Sequence, residues 1–227
     1  PNRGLIFDRN GKVLVDNRTS YSVMIYPVKI TPDVEEKVKK LASKLGLEPK
    51  MIINKLKYAG PNSPYPIDIK HDLDQETISY LLENRLSLPA LTIEHAITRV
   101  HPEKNLASHI LGYTGEISYE ELDDLKEKNY KVGDIIGKTG IEHRFEDKLR
   151  GKEGGHFIEV DAIGRKIRTL KSELPEQGNN IHLTIDLNLQ KKVESLLQGK
   201  KASAVVMDVN TGEILAMASK PDFDPNM

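Results

Sequence analysis

The sequence predicts an elongated α+β protein with a strand-rich base, an α+β head lobe and the first elements of a further domain. Three patterns predict this class. Short apolar runs of strand length stand at the beginning of the chain and again after residue 137, and apolar residues with a helical period stand in the middle. A polar linker at 173–180 then precedes a new strand–helix–strand–strand series.

The base is predicted at 1–26 and, after the head lobe, at 134–178. Residues 5–7 (LIF) lead into Asp8-Arg9-Asn10-Gly11, and residues 13–15 (VLV) follow. Asn-Gly between two apolar runs predicts a hairpin turn. Residues 21–26 alternate in side-chain type and predict one more strand.

The head lobe, predicted at 27–133, carries residues typical of helix starts at four places. They are Thr31 before Pro32 and Asp33, Pro49, Asp74, and Ser118 with Glu121 as a capping box. Gly46 is expected to end the first helix, and Ile78, Leu81 and Leu82 are expected to face inward from the third. Residues 60–66 (GPNSPYP) predict a loop.

The rest of the base is predicted at 134–178. Ile141, Phe145 and Leu149 have the spacing of one face of a single helix. Strands are expected at 157–160 and 166–170, joined by a turn around Gly164.

Residues 179–227 are predicted to be a linker followed by the start of a further domain. A strand at 181–185 precedes a helix capped by Asp186 that contains Leu189, Val193 and Leu196. Strands at 204–209 and 214–219 follow. About 45 residues of this kind are too few to fold well alone, so a truncated domain is expected.

Composition excludes several classes of function. With 33 basic and 34 acidic residues the chain lacks the basic surface of a nucleic-acid-binding protein. It has no cysteine, so disulfides, thiolate metal sites and a cysteine nucleophile are excluded. No apolar run reaches the roughly 20 residues that cross a bilayer, and because the chain opens within a motif, a preceding segment is expected.

Four segments, in order, resemble the class B penicillin-binding proteins. They are residues 3–14 (RGLIFDRNGKVL); 99–102 (RVHP) with 109–115 (HILGYTG); 137–142 (GKTGIE) with Phe145, Leu149, Arg150, Gly151 and Gly154; and 183–186 (LTID) with Leu189-Gln190, Asp208, 211–216 (TGEILA) and 221–226 (PDFDPN). Residues 159–165 (EVDAIGR) resemble the elongation-type branch more than the division-type branch. His101 departs from the family, which more often has Tyr there.

Fifteen positions carry the resemblance and are expected to be structural. They are Arg3, Gly4, Asp8, Arg9, Gly11, Arg99, Pro102, His109, Gly112, Gly137, Gly140, Glu142, Gly151, Asp186 and Gln190. Several of the glycines suit tight turns or close backbone approach. The charged residues are expected to pair where separate segments of the base meet, with Arg3 and Glu142 as one such pair.

The resemblance implies the pedestal of a peptidoglycan D,D-transpeptidase at the outer face of the bacterial inner membrane. It implies a parent with a membrane helix and a penicillin-sensitive serine enzyme, and a head that moves when partners bind. The implied partners are a membrane SEDS-type (RodA-like) glycosyltransferase and an MreC-like rod-complex protein. A standalone periplasmic interaction module, or an unrelated hydrolase with an unmarked site, remains an alternative.

The family's catalytic residues are not expected in this chain. Its nucleophile is a serine three residues before a lysine, and no serine here has lysine at that distance. Lys138-Thr139-Gly140 spells the family's KTG element but lies before the linker, so a scaffold turn is predicted. GDIIGKT at 133–139 is one residue short of a phosphate-binding loop.

Three histidines leave one further possibility open. His95, His101 and His109 are close in sequence, and a strand would place His95 and His101 on one face. They are interpreted as ordinary histidines, with a zinc site as the alternative. No cofactor, metal or catalytic residue is predicted.

Overall fold

The computed structural model describes residues 1–27, 29–60, 66–85, 90–125, 130–131, 133–160 and 166–226. Helices and strands alternate through these residues, which confirms the predicted α+β class. In chain order the elements are β1 (Ile6–Phe7), β2 (Val13–Ile25), α1 (Pro32–Leu45), α2 (Pro49–Ala59), β3 (Ile67–Lys70), α3 (Gln75–Glu83), β4 (Leu91–Val100), α4 (Ser108–Leu111), β5 (Thr114–Glu116), α5 (Tyr119–Asp124), β6 (Ile135–Gly137), α6 (Gly140–Arg144), α7 (Glu146–Leu149), β7 (Gly155–Val160), β8 (Lys166–Glu173), β9 (Ile181–His182), α8 (Leu187–Leu196), β10 (Ala202–Met207) and β11 (Ile214–Lys220).

The chain forms two compact units. The first contains Pro1–Asn17, Arg99–Gly115 and Ile135–Met227, and the second contains Arg18–Thr98 and Glu116–Asp134. The four domain ranges predicted from the sequence stay a prediction.

The first unit is built on the predicted hairpin. β1 pairs antiparallel with the start of β2, with Ile6 opposite Val15, and it pairs in parallel with β9. The turn is fixed by Asp8, whose Oδ1 accepts the backbone N–H groups of Asn10 and Lys12, each at 2.8 Å. Gly11 has φ 78°, a left-handed conformation that glycine adopts without strain.

A small apolar core lies beside this hairpin in the first unit. Its buried residues come from β1, β2, the 99–115 segment, α7 and α8; they are Ile6, Leu14, Val15, Ala107, Leu111, Leu149 and Leu187. The predicted single helix over 141–149 is wrong, because Phe145 has φ −111° and ψ 24° and separates α6 from α7. Ile141 and Phe145 still pack against this core.

Residues 181–226 form the predicted strand–helix–strand–strand series within the first unit. β10 and β11 are antiparallel, with Val205 opposite Met217, and the buried side chains of Val193, Ala216 and Ala218 lie between the hairpin and α8. Asp186 caps α8 as predicted, by accepting the N–H groups of Asn188 and Leu189. Leu196 is the last residue of α8 and is 60% exposed.

The strands expected at 157–160 and 166–170 are present as β7 and β8, which pair antiparallel. Their connecting turn around Gly164 lies outside the described residues.

The second unit is a helical layer on a small sheet. The later part of β2 pairs antiparallel with β3, with Ile25 opposite Ile67, and β4 also pairs with β2. The caps predicted for α1, α3 and α5 are all present, including the complete Ser118–Glu121 capping box. The core joins Val23 and Ile25 to apolar residues of α1, α2 and α3. Leu82, expected to face inward, is 53% exposed.

Candidate functional site

A fully buried carboxylate joins three distant segments of the first unit. Glu142 Oε2 accepts a hydrogen bond from Arg3 Nε at 2.5 Å, and its Oε1 accepts one from Arg99 Nε at 2.7 Å. Arg3 Nη2 also donates to the Glu142 backbone carbonyl at 2.9 Å. The Arg3–Glu142 pair predicted from the sequence is therefore present, and Arg99 joins it.

Two further side chains complete this charge cluster, which we define as Arg3, Asn17, Arg99, Glu142 and Glu146. Glu146 Oε2 accepts from Arg3 Nη2 at 2.6 Å and from the Gly137 N–H at 2.8 Å. Asn17 donates to the Arg3 carbonyl at 2.6 Å and accepts from Arg99 Nη1 at 3.0 Å. Two cations and two carboxylates thus balance each other.

The cluster is largely shielded from water, so burial and the neighbouring charges shift the pKa values of its arginines. Burial opposes the charge of Arg3, but the hydrogen bond and charge of Glu146 and the charge of Glu142 together raise the pKa of Arg3. Burial lowers the pKa of Arg99 despite the charge of Glu142. Replacing one member of a buried ion pair leaves the other charge without compensation. The resulting loss in the free energy of unfolding exceeds the stability that an exposed ion pair contributes.

Asp8 is a second buried carboxylate, and its role is to hold the turn after β1. Burial alone raises the pKa of Asp8, but backbone N–H donors from Lys12, Leu187 and Asn10 lower it below the usual value. Leu187 N–H donates to Asp8 Oδ2 at 3.2 Å, so the same carboxylate contacts the start of α8. Arg9 lies on the surface, 3.4 Å from Glu213.

Gln190 fastens α8 to the edge of β11. Its Oε1 accepts the Met217 N–H at 2.8 Å, and its Nε2 donates to the Met217 carbonyl at 2.7 Å and to Glu194 at 2.9 Å. The buried amide thereby satisfies both peptide groups of Met217. Asp186, at the start of the same helix, also accepts from the Asn10 side chain at 3.0 Å.

At several of the predicted glycines, two backbone segments lie too close together to leave room for a side chain. A Cβ at Gly112 would lie 1.9 Å from the Thr139 carbonyl oxygen, and Gly112 has φ 76°. Any side chain there collides with a peptide group that cannot rotate away. Gly4, Gly137, Gly140 and Gly151 leave equally little room for a Cβ, as each would come within 2.4 Å of a carbonyl oxygen.

Lys138-Thr139-Gly140 lies at a strand-to-helix turn, as predicted for a scaffold element. The Lys138 N–H donates to the Tyr113 carbonyl at 2.8 Å, Thr139 precedes α6, and Gly140 begins that helix with φ 60°.

The three histidines have separate environments. In the second unit, His95 lies 4.8 Å from the Tyr21 ring. In the first unit, His101 is 3% exposed and His109 lies near Pro221 and Phe223. No group of three metal-ligating side chains forms among the described residues, so the zinc alternative has no support there. Pro102 follows His101 at the surface.

The described helices include none long and apolar enough to cross a membrane.

Together these contacts define a scaffold in which polar side chains join chain segments. The Penicillin-binding Protein dimerisation domain family matches residues 1–183, and the Penicillin binding protein transpeptidase domain family matches residues 202–227. Because the first match spans most of the chain, the chain belongs to the penicillin-binding protein dimerisation domain family. The resemblance found in the sequence is confirmed.

The relatives place it near the elongation-type branch. It is 39% identical to the peptidoglycan D,D-transpeptidase MrdA of Salmonella typhimurium and 35% identical to that of Escherichia coli K12, over its whole length. It spans about a third of these relatives, 37% and 36% of their length. A solved complex of Helicobacter pylori penicillin-binding protein 2 with MreC is similar, with a TM-score of 0.80, 30% identity, and coverage of 100% of this chain and 43% of that chain.

Sequence reasoning missed several residues that complete these contacts. Asn17, Glu146, Glu194 and Asn226 were not singled out, although each makes hydrogen bonds to a distant segment. Asn226 belongs to a quoted motif, PDFDPN, which was the available indication. Asn17, Glu146 and Glu194 lie among other polar residues and have no distinguishing pattern.

We expect Glu142→Gln to lower the free energy of unfolding by about 3–5 kcal/mol, because the buried guanidinium group of Arg99 then has a neutral partner in place of a carboxylate, while Arg3 retains only Glu146. Urea denaturation measures the change. Glu176→Gln is the matched control, because Glu176 pairs with Lys152 at 2.7 Å on the surface, with both side chains mostly exposed. That control is expected to change stability by less than about 1 kcal/mol. Equal effects in the two variants would contradict the role given to Glu142.

Because the His101 side chain is buried, we expect the stability of the protein to depend on pH. Burial lowers the pKa of His101 to about 4 from 6.5, so the unfolded chain binds more protons between these values. The free energy of unfolding therefore falls as pH drops from 6.5 to 4, by about 3 kcal/mol. His101→Phe, which does not titrate, removes this contribution.

The measurement is the difference between the unfolding free energies of wild type and His101→Phe across this range. In the second unit, burial raises the pKa of Asp68 to about 6, and this acts in the opposite direction. Asp68 is present in both proteins, so its contribution cancels in the difference. Parallel curves for the two proteins would refute the assignment to His101.

Proposed function

We propose that this chain is the non-catalytic pedestal of a peptidoglycan D,D-transpeptidase, which positions the cross-linking enzyme in cell-wall synthesis and cell-shape maintenance. The observation that carries the proposal is the match of the dimerisation domain family over residues 1–183, directly before the transpeptidase match. The charge cluster supports it, because the charged residues of the family pattern serve to join segments.

The proposed pedestal does no chemistry itself. No serine in the sequence stands three residues before a lysine, the spacing in which the amine activates the hydroxyl. Glu142 and Asp8, the most deeply buried carboxylates described, both have their oxygens engaged by arginine or backbone donors. Neither has the geometry of a general base facing an open pocket.

The proposed location is the extracytoplasmic side of the bacterial inner membrane, with a membrane helix in the parent protein. Peptidoglycan cross-linking, the activity in the names of the MrdA relatives, supports this placement. Fractionation of cells that carry a tagged parent protein tests it, and a cytoplasmic parent would refute it.

The proposed partners are an MreC-like protein and a membrane SEDS-type (RodA-like) glycosyltransferase. The similarity to the penicillin-binding protein 2 that was solved with MreC supports the first. The second rests on the sequence resemblance. Co-purification with the membrane-anchored parent tests the RodA-like partner, and its consistent absence from the complex would remove it.

We expect the extracytoplasmic part of the MreC-like protein from the same bacterium to bind this chain without the catalytic domain, because a pedestal holds the binding surface. Isothermal titration calorimetry measures the affinity. The longer parent protein, added in excess, is expected to compete for the same partner. Binding by the parent and not by this chain would show that the surface lies elsewhere.

Acylation by penicillin tests the separation of pedestal and enzyme. We expect intact-mass measurements after incubation with benzylpenicillin to show a covalent adduct on the parent extended past residue 227 and none on this chain. An adduct on this chain would contradict the proposal. An adduct on neither protein would also contradict it and favour a standalone interaction module.

A further inference from the structure

The segment after β11 is tied to the 99–115 segment of the same unit by side-chain contacts. We call residues 221–226 the clasp. Its contacts begin at Pro221, whose carbonyl accepts a hydrogen bond from His109 Nε2 at 3.0 Å. Asn105 Nδ2 then donates to Asp222 Oδ2 at 2.6 Å.

Asn226 makes the most specific contact of the clasp. Its Oδ1 accepts the His101 N–H at 2.8 Å, and its Nδ2 donates to the His101 carbonyl at 3.1 Å. One carboxamide thus satisfies both peptide groups of a single residue, as a neighbouring strand would. Asp224 Oδ1 accepts from the Asn226 N–H and from Nδ2, at 2.9 and 2.8 Å, and holds the carboxamide in this orientation.

Ring contacts and an ion-paired lysine flank the clasp. Phe223 meets the rings of His109 and Tyr113 edge to face, with centroid distances of 5.3 and 6.0 Å. Lys220 donates to Asp222 and, at 3.1 Å, to Glu194 on α8. Glu194 Oε1 in turn accepts the Ala107 N–H at 2.7 Å, so α8 contacts the same 99–115 segment.

These contacts connect two parts of the family pattern. The clasp lies within the transpeptidase match at 202–227, and the 99–115 segment lies within the dimerisation-domain match. Arg99, at the start of the 99–115 segment, belongs to the charge cluster. The 99–115 segment therefore contacts Glu142 through the side chain of Arg99 and Asn226 through the backbone of His101, two residues further along.

We propose that the clasp sets the position of the transpeptidase relative to the pedestal, and that Asn226 is its main positioning residue. The inference rests on the proposed function, because it assumes an enzyme that continues from the clasp. Directional hydrogen bonds to a backbone fix orientation more sharply than an apolar contact does. Asn226 itself is exposed, so it contributes by direction and not by filling a core.

The test uses the parent protein with Asn226→Asp. This isosteric change removes the donor to the His101 carbonyl and places a negative charge beside Asp224. We expect the second-order rate constant for acylation by a fluorescent penicillin to fall about tenfold, the effect of one or two lost hydrogen bonds on a barrier. The fraction of molecules that finally acylate is expected to stay unchanged.

The acylation rate constant and the acylated fraction together distinguish a positioning defect from misfolding. Irreversible misfolding lowers the final acylated fraction and leaves the rate of the folded molecules the same. Reversible unfolding instead slows acylation, so the thermal unfolding temperature of Asn226→Asp is measured as well and is expected to match that of the wild type. Asn210→Asp is the matched control, because Asn210 is an exposed turn residue of the same domain outside the clasp. If Asn226→Asp acylates as fast as Asn210→Asp, or loses only the acylated fraction, the inference is wrong.

A chemical bridge provides the reciprocal test. Asn105→Cys and Asp222→Cys place two thiols where the side chains now touch, and this chain has no cysteine of its own. Any cysteine of the parent outside this chain is first replaced by serine. Bridging the two thiols with dibromobimane in the Asn226→Asp parent is then expected to restore the acylation rate. Unchanged slow acylation after complete bridging counts against the clasp. A wild-type parent that never acylates refutes the proposed function instead.

Discussion

The buried carboxylate of Glu142 is the interaction on which the first unit depends. It accepts hydrogen bonds from Arg3 and Arg99, which are 139 and 43 residues away along the chain. The two guanidinium groups lie 2.5 and 2.7 Å from its oxygens, so the three backbone segments must meet at this point. A buried ion pair adds little net stability compared with apolar residues, so its main contribution here is to specify which segments meet.

The close backbone contacts follow from the same constraint. With Arg3 held at Glu142, the adjacent Gly4 lies against Asn179, and Gly137 lies against the Glu142 carbonyl itself. The apolar core beside the cluster has few buried residues, and most of them are medium-sized aliphatic side chains. Directional polar contacts and glycine packing restrict shifts of the segments around it, because both fail when atoms move by a fraction of an ångström.

Local features were predictable from the sequence, and contacts between distant segments mostly were not. The helix caps at Thr31, Asp74, Ser118 and Asp186 were correct, because a cap is a hydrogen bond within one turn. The break at Phe145 and the strands β3 and β4 depend on packing against other segments, which no periodicity encodes. The pairing of Arg3 with Glu142 was predicted correctly only because the resemblance identified both residues. Arg99 was identified without its partner, and no motif identified Asn17.

A scaffold of this kind is suited to transmitting position. Apolar contacts have no directional preference, whereas the hydrogen bonds between a carboxylate and two guanidinium groups weaken when their angles or distances change. The 99–115 segment has directional contacts at two nearby points, the Arg99 side chain on Glu142 and the His101 backbone on the carboxamide of Asn226. A protein that is proposed to position an enzyme is well served by a structure in which directional contacts outnumber apolar ones.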